Sequence, residues 1–327
     1  MSARAISVVL GCAALLLGCQ PGAGDGSAAK RSFTGQRLEG HDFSGAALAG
    51  ANFDGARLAG ASFVGATLKG ASFKGADLRE SYLREADAED ADFTGAQLGG
   101  ADLTRATLRR ARLDEADLSR ARLDSAVADE ASFKHAFLPG ASLVKAQLRA
   151  ANFDGAILES AVLTQAVMTG AVLTGASLGA TGAAQQGPSP ATLAGADLRH
   201  ADASGANLTS VNLSEAQLQG ARFVGARLDH ANLTWAQARG ADFSKASLGW
   251  ARAYGADLRE ALFVEAVLAQ AQLEGADLRQ ASLRGARLTQ TNLNLARMGQ
   301  NNAQGVLASH VLIHGAIDAP PELTQAK

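Results

Sequence analysis

ANFDGARLAGASFVGATLKGASFKG, residues 51–75, is the stretch that decides the fold. Every fifth residue is large and apolar (Phe53, Leu58, Phe63, Leu68, Phe73), and two residues before each stands an alanine (Ala51, Ala56, Ala61, Ala66, Ala71). A period of five matches neither an amphipathic helix nor a simple alternating strand. Within one unit, however, the alanine and the apolar centre are two apart, so in extended backbone both side chains lie on one side. The other three residues, typically polar plus Gly, must turn outward. A short inward-facing edge followed by a corner, repeated, closes into a polygonal coil. Alanine keeps its interior narrow and Leu or Phe fills it.

The phase holds far beyond this stretch. Taking the apolar centre as position i, the 30 centres from Phe33 to Leu178 include 19 Leu and eight Phe. Position i−2 is Ala at 26 of 27 places from Ala46 to Ala176, with Ser81 the exception, and at 20 of 22 from Ala191 to Ala296, with Val211 and Thr291 the exceptions. Glycines at i+2, such as Gly35 and Gly55, suit the backbone angles of a sharp corner. The pattern, as in Ala76-Asp77-Leu78, Ala101-Asp102-Leu103, Ala196-Asp197-Leu198 and Ala256-Asp257-Leu258, resembles the pentapeptide-repeat family from Arg31 to Ile313. The resemblance implies an all-β fold, a right-handed quadrilateral parallel β-helix: a solenoid with four pentapeptides per coil.

Four sides place residues 20 apart above one another, and the sequence agrees. Phe33, Phe53, Phe73, Phe93, Phe133 and Phe153 fall in one column, and Phe43 and Phe63 in the opposite one. Outward charges alternate in sign at the same spacing: Asp90–Arg110–Glu130, Asp114–Lys134–Asp154, Glu85–Arg105, Asp92–Arg112, Arg57–Asp77 and Asp202–Arg222–Asp242. These are expected to pair between coils. Coils stacked at about 4.8 Å give a rod some tens of ångströms long.

Residues 181–190, TGAAQQGPSP, break the pattern. Their length equals two sides, and looping them out returns Phe223, Phe243 and Phe263 to the column of Phe133 and Phe153. An extruded loop is expected there, the alternative being a hinge between two solenoids. The organisation is then a signal segment at 1–18, a tether at 19–30, repeat blocks at 31–180 and 191–315 with the loop at 181–190 between them, and a tail at 316–327. Just before the loop, one coil carries aliphatic residues at i−1: Ile157, Val162, Val167 and Val172. After Met298 the pattern decays, and the Val306–Ile313 stretch is expected either to cap the coil or to pair with a second copy as a homodimer.

The N-terminus carries a different signal. Arg4 precedes a run of apolar and small residues from Ala5 to Leu17 that is short for a membrane span and fits a signal-peptide core. Leu16-Leu17-Gly18-Cys19 then resembles the bacterial lipoprotein signal, with Cys19 as the lipidated residue. That resemblance implies a cell-envelope protein held by a lipid anchor, and Gln20 after the cysteine implies the periplasmic side of the outer membrane rather than the inner membrane. Cys12 and Cys19 are the only cysteines, so the repeat has no disulfide, thiolate metal site or cysteine nucleophile.

No constellation in the repeat suggests catalysis. The glycines are corner residues rather than a phosphate-binding loop. His310 and His314 are four apart in strand-like context, which does not make a metal pair. No enzyme activity and no cofactor are expected. One surface cluster stands out: His230 and Trp250 share a column, Trp235 and Tyr254 lie on the adjacent side, and both Trp residues of the chain are in it. Exposed aromatics of this kind mark contact sites or lipid interfaces, the alternative being that they cover corner backbone. Known relatives resemble a rod of DNA and bind DNA gyrase, so a DNA-mimicking modulator of gyrase or another DNA-binding protein is the alternative function. Against it, 30 basic and 32 acidic residues leave the chain near neutrality, and the lipoprotein signal points outside the cytoplasm. The expected function is a non-enzymatic, lipid-anchored scaffold or protein-binding module, with no nucleic acid as partner and the protein partner unnamed by any residue.

Overall fold

The structure, a computed structural model of the chain, describes residues 31–180 and 189–324. It is a four-sided parallel β-helix. Each five-residue unit contributes one bridge, made at i−1, to the unit one coil on. Ser32 pairs with Asn52, Arg37 with Arg57, Asp42 with Ser62 and Ala47 with Thr67, all parallel and all 20 residues apart. On each side, the amide of i−1 reaches back and that of i reaches forward: Asn52 N donates to Arg31 O at 2.8 Å, and Phe33 N to Asn52 O at 2.6 Å. The unit then turns, with Gln36 N donating to Phe33 O at 3.1 Å. The backbone polar groups of an interior coil are thereby satisfied by its two neighbours and by its own corners.

Inside, the alanines and centres form one continuous core. The phenylalanine columns are stacks. Phe33–Phe53, Phe53–Phe73 and Phe73–Phe93 have ring centroids 4.5, 4.8 and 4.9 Å apart, within 7° of parallel. Phe43–Phe63 stack at 5.0 Å on the opposite wall, and the two columns meet edge to face at 5.6–5.9 Å. The stacking distance equals the spacing of adjacent strands, so each ring meets its neighbour without leaving its own coil. The exceptions to alanine at i−2 are also buried, and two bring their own partner: Ser81 Oγ donates to Leu78 O at 2.6 Å and Thr291 Oγ1 to Leu268 O at 2.7 Å.

On both sides of the interruption the corners turn through a positive φ at i+2, but glycine is not required. Gly35 (φ 65°) and Gly255 (φ 62°) share this geometry with Glu80 (55°), Arg110 (56°), Trp235 (58°) and Trp250 (54°). For an L residue this left-handed conformation costs roughly 1–2 kcal/mol. The ladder on both sides of the corner imposes the turn regardless.

Bridges continue across the interruption with a changed offset. Val162 pairs with Thr192, Val167 with Asp197, Val172 with Asp202 and Ser177 with Asn207, each 30 apart. Ala191 N donates to Leu178 O at 2.8 Å, the bond that residue 181 would make in an unbroken repeat. The expected loop at 181–190 falls on residues of which only Ser189 and Pro190 are described. Beyond it, Phe223–Phe243 and Phe243–Phe263 stack at 5.0 and 5.1 Å. The last bridges join Arg287 to Leu307, Asn292 to Leu312 and Arg297 to Ile317. A short helix, α1 (Pro321–Thr324), then buries Leu323 against the core.

Candidate functional site

The outer wall is built mostly from i−1, i+1 and i+2 side chains, and its acids do structural work. An Asp or Asn at i−1 accepts the amide of its own turn, as Asp42 does from Ser44 N at 2.9 Å and Asn152 from Asp154 N at 2.9 Å. An Asp at i+1 reaches the next coil instead. Asp54 accepts Ser72 Oγ at 2.5 Å and Lys74 N at 3.0 Å, and Asp229 accepts Ser247 Oγ at 2.5 Å and Gly249 N at 3.0 Å. In four units an Arg two residues on clamps the i−1 carboxylate side-on. Arg199 meets Asp197 at 2.8 and 2.6 Å, and the pairs Asp77–Arg79, Asp257–Arg259 and Asp277–Arg279 repeat this. The guanidinium hydrogen bonds hold all four carboxyls below the usual carboxylate range.

Several expected inter-coil pairs form: Arg110 with Asp90 at 2.8 Å, Arg105 with Glu85 at 3.4 Å, Arg222 with Asp202 at 3.3 Å and Arg112 with Asp92 at 3.8 Å. Others are replaced. Asp114 takes the hydroxyl of Ser132 and the amide of Lys134, Asp154 takes the hydroxyl of Thr174, and Arg57 turns to Glu39 at 2.8 Å. The short Asp side chain reaches the next coil's amide and hydroxyl before the long flexible Lys side chain is fixed. Among the described residues no cluster of His, Cys, Asp and Glu could hold a metal ion.

The aromatic cluster is brought together as the four-sided spacing predicts. His230 and Trp250 stack with centroids 5.1 Å apart and planes within 9°. Trp235 and Tyr254 meet edge to face at 5.4 Å and 88°. Trp235, Trp250 and Tyr254 are 56%, 52% and 47% exposed, so about half of each ring surface is offered to solvent. His230, Trp250 and Trp235 are corner residues, and the ring of Trp235 lies along the rod over the next corner. A Cβ on Gly255 would stand 2.3 Å from its Cζ3. Between the two aromatic pairs stands Arg252, exposed, a neighbour that sequence reading passed over although its position at i−1 places it on that wall. Cys19, the expected lipidation site, lies outside the described residues.

A second feature was not anticipated. Where Gly99-Gly100 and Pro139-Gly140 occupy one corner column, missing side chains leave an open groove, bounded by Arg79, Glu80 and Arg120. Its signal in the sequence was two side-chain-poor corners 40 residues apart.

Comparison with known proteins agrees with this architecture. The family described as Pentapeptide repeats matches in eight copies, within residues 37–179 and 191–300. Among solved structures, HetL, a pentapeptide repeat protein involved in heterocyst differentiation regulation in the cyanobacterium Nostoc sp. strain PCC 7120, is similar at 26% identity over 88% of this chain and 92% of its own (TM-score 0.22). A pentapeptide repeat protein from the thylakoid lumen of Arabidopsis thaliana is 32% identical over 32% of this chain and 77% of its own (TM-score 0.28). QnrB1, a plasmid-mediated fluoroquinolone resistance protein, is 17% identical over 85% of this chain and 93% of its own (TM-score 0.20). No curated protein matches. With the family model matched over most of the repeat, the chain belongs to the pentapeptide repeat family.

Proposed function

We propose that this chain is a non-enzymatic binding module of the bacterial cell envelope. It is anchored by lipid on Cys19, on the periplasmic side of the outer membrane, and presents the wall around Trp235 and Trp250 to a partner. The observation that supports the reading most is the cluster of Trp235, Trp250 and Tyr254, all about half exposed on one wall beside the exposed Arg252. Half-exposed Trp and Tyr on a rigid surface lose little entropy on binding and supply large contact area. The outer surface as a whole is also a poor imitation of DNA, because its arginines and carboxylates are interleaved and paired, as in Arg110 with Asp90 and Arg259 with Asp257. At the far end, Leu307, Leu312 and Ile317 are 63%, 54% and 54% exposed on the last coil, whose outer edge would extend onto a second copy to make a homodimer.

The anchor is tested by labelling cells with a palmitate analogue and fractionating them. Wild-type protein should take up label and sediment with membranes, and Cys19→Ala protein should do neither. A Cys19→Ala protein that fractionates like wild type overturns the anchored reading.

A further inference from the structure

We propose that the wall running from Thr192 to the aromatic cluster binds a neutral, extended glycan chain lying along the rod axis. The proposal names the ligand class of the binding surface described above and rests on that reading.

Three observations converge. The first is charge. Over three successive coils the outward strand positions of this wall are Thr192 and Ala194, Asn212 and Ser214, then Asn232 and Thr234. None is charged, while in the same stretch the opposite wall carries Asp202, Arg222 and Asp242. The only charged group flanking these three coils on the wall's own trailing corner is Glu215; beyond Thr234 the wall continues with Arg252 and Tyr254. A flat lane of hydroxyls and amides suits a ligand that is itself covered in hydroxyls. It offers neither the apolar centre of a protein interface nor charge for a polyanion.

The second observation is where the aromatics stand. Trp235 and Trp250 flank this wall at corner positions, where they share the positive φ (58° and 54°) of the other corners, and both remain more than half exposed. Neither is placed there to fill the core. Rigid aromatic side chains left about half exposed on a fixed wall are the kind of group that anchors a ligand. A pyranose ring presents a face of C–H groups that stacks on an indole or phenol, while its hydroxyls bond to neighbouring amides and guanidinium groups such as Arg252. The third is pitch. Coils repeat at about 4.8 Å, close to the length of one pyranose unit, so a chain laid along the axis meets a fresh coil with each sugar.

The chain contains only two tryptophans, both in this cluster, so its intrinsic fluorescence reports on the site directly. Full-length protein lacking only the signal segment is titrated with chitohexaose, cellopentaose, an alginate hexamer and phosphatidylethanolamine/phosphatidylglycerol vesicles. A saturable emission change with a neutral oligosaccharide is expected. The binding should be weakened at least tenfold in Trp235→Ala and in Trp250→Ala, each followed through its remaining tryptophan, and in Asn232→Asp, with circular dichroism unchanged. No response to either neutral oligosaccharide overturns the proposal, as does an equal or stronger response to alginate or vesicles, or undiminished binding in both tryptophan variants. Those outcomes leave the anchored-module reading standing if Cys19-dependent labelling holds. Loss of that labelling with glycan binding intact would remove the anchor and keep the site.

Discussion

Replacing Gly255 by alanine separates two costs that the corner geometry combines. One is conformational: at φ 62° an alanine pays roughly 1–2 kcal/mol for the left-handed region. The other is steric, because the new Cβ would stand 2.3 Å from Cζ3 of Trp235 and 2.5 Å from Cε3, so the ring must lift away from the corner. Because the ring is more than half exposed and can move into solvent, the steric cost is the loss of its contacts on the corner, including the edge-to-face contact with Tyr254, about 0.5–1.5 kcal/mol. Gly225 is the control, with φ 66° and nothing within 4 Å of an added Cβ. Gly225→Ala should therefore cost about 1–2 kcal/mol and Gly255→Ala about 1.5–3.5 kcal/mol. In a Trp235→Ala background the Gly255→Ala cost should fall to that of Gly225→Ala, a coupling of about 0.5–1.5 kcal/mol. Equilibrium urea unfolding read through tryptophan emission and circular dichroism measures the wild type and the four variants. Equal costs for the two glycine variants, or a coupling within the usual additivity error of about 0.5 kcal/mol, would refute the placement of the ring.

Three other outcomes follow from the same structure. Ala253, at a centre where Leu or Phe is usual, borders an apolar cavity of about 10 Å³ lined by Phe243, Leu248 and Phe263; Ala253→Val should raise the thermal midpoint, whereas Ala256→Leu, at a packed i−2 position, should cost about 1–3 kcal/mol. Deleting residues 101–120 removes one coil and should leave a folded, shorter rod, whereas deleting 101–105 moves every later side by one and should give an unfolded or aggregated product by circular dichroism and gel filtration. In acid, the folded-state carboxyls of Asp77, Asp197, Asp257 and Asp277 lie below their unfolded value of about 3.9, so the native state binds fewer protons there. Their contribution is complete above that value and lost as pH falls through the lower folded ones, so the urea midpoint should decline below about pH 4, less steeply when all four are Asn.

The interior was legible because it obeys one rule. Ala at i−2 and Leu or Phe at i fix the inward edge, and the alignment of Phe33, Phe53, Phe73 and Phe93 at spacing 20 counts the sides without any knowledge of backbone angles. The wall was legible only in part. Spacing puts Asp114 under Lys134, but whether the carboxylate meets the ammonium or the amide depends on side-chain reach, and the short Asp chose the amide. Spacing puts Trp235 beside Gly255 and Tyr254, but not which of them the ring covers. Glycine suits the corner, but its spacing did not show that Glu80, Arg110 and Trp250 adopt the same turn under the constraint of the ladder. The site is the least legible part for a physical reason. Outward residues of a solenoid are free to vary once the core is set, so a binding surface leaves only local departures from the repeat.

The most direct test of an anchored module that binds through its aromatic wall is photo-crosslinking in intact cells. A photoreactive phenylalanine analogue is placed at Trp250, or at Ser244 on another wall, in wild-type and Cys19→Ala backgrounds. The account predicts membrane-associated adducts from position 250, few from 244, and loss of the adducts when Cys19 is replaced. Equal adducts from both positions, or an unchanged pattern without Cys19, would contradict it.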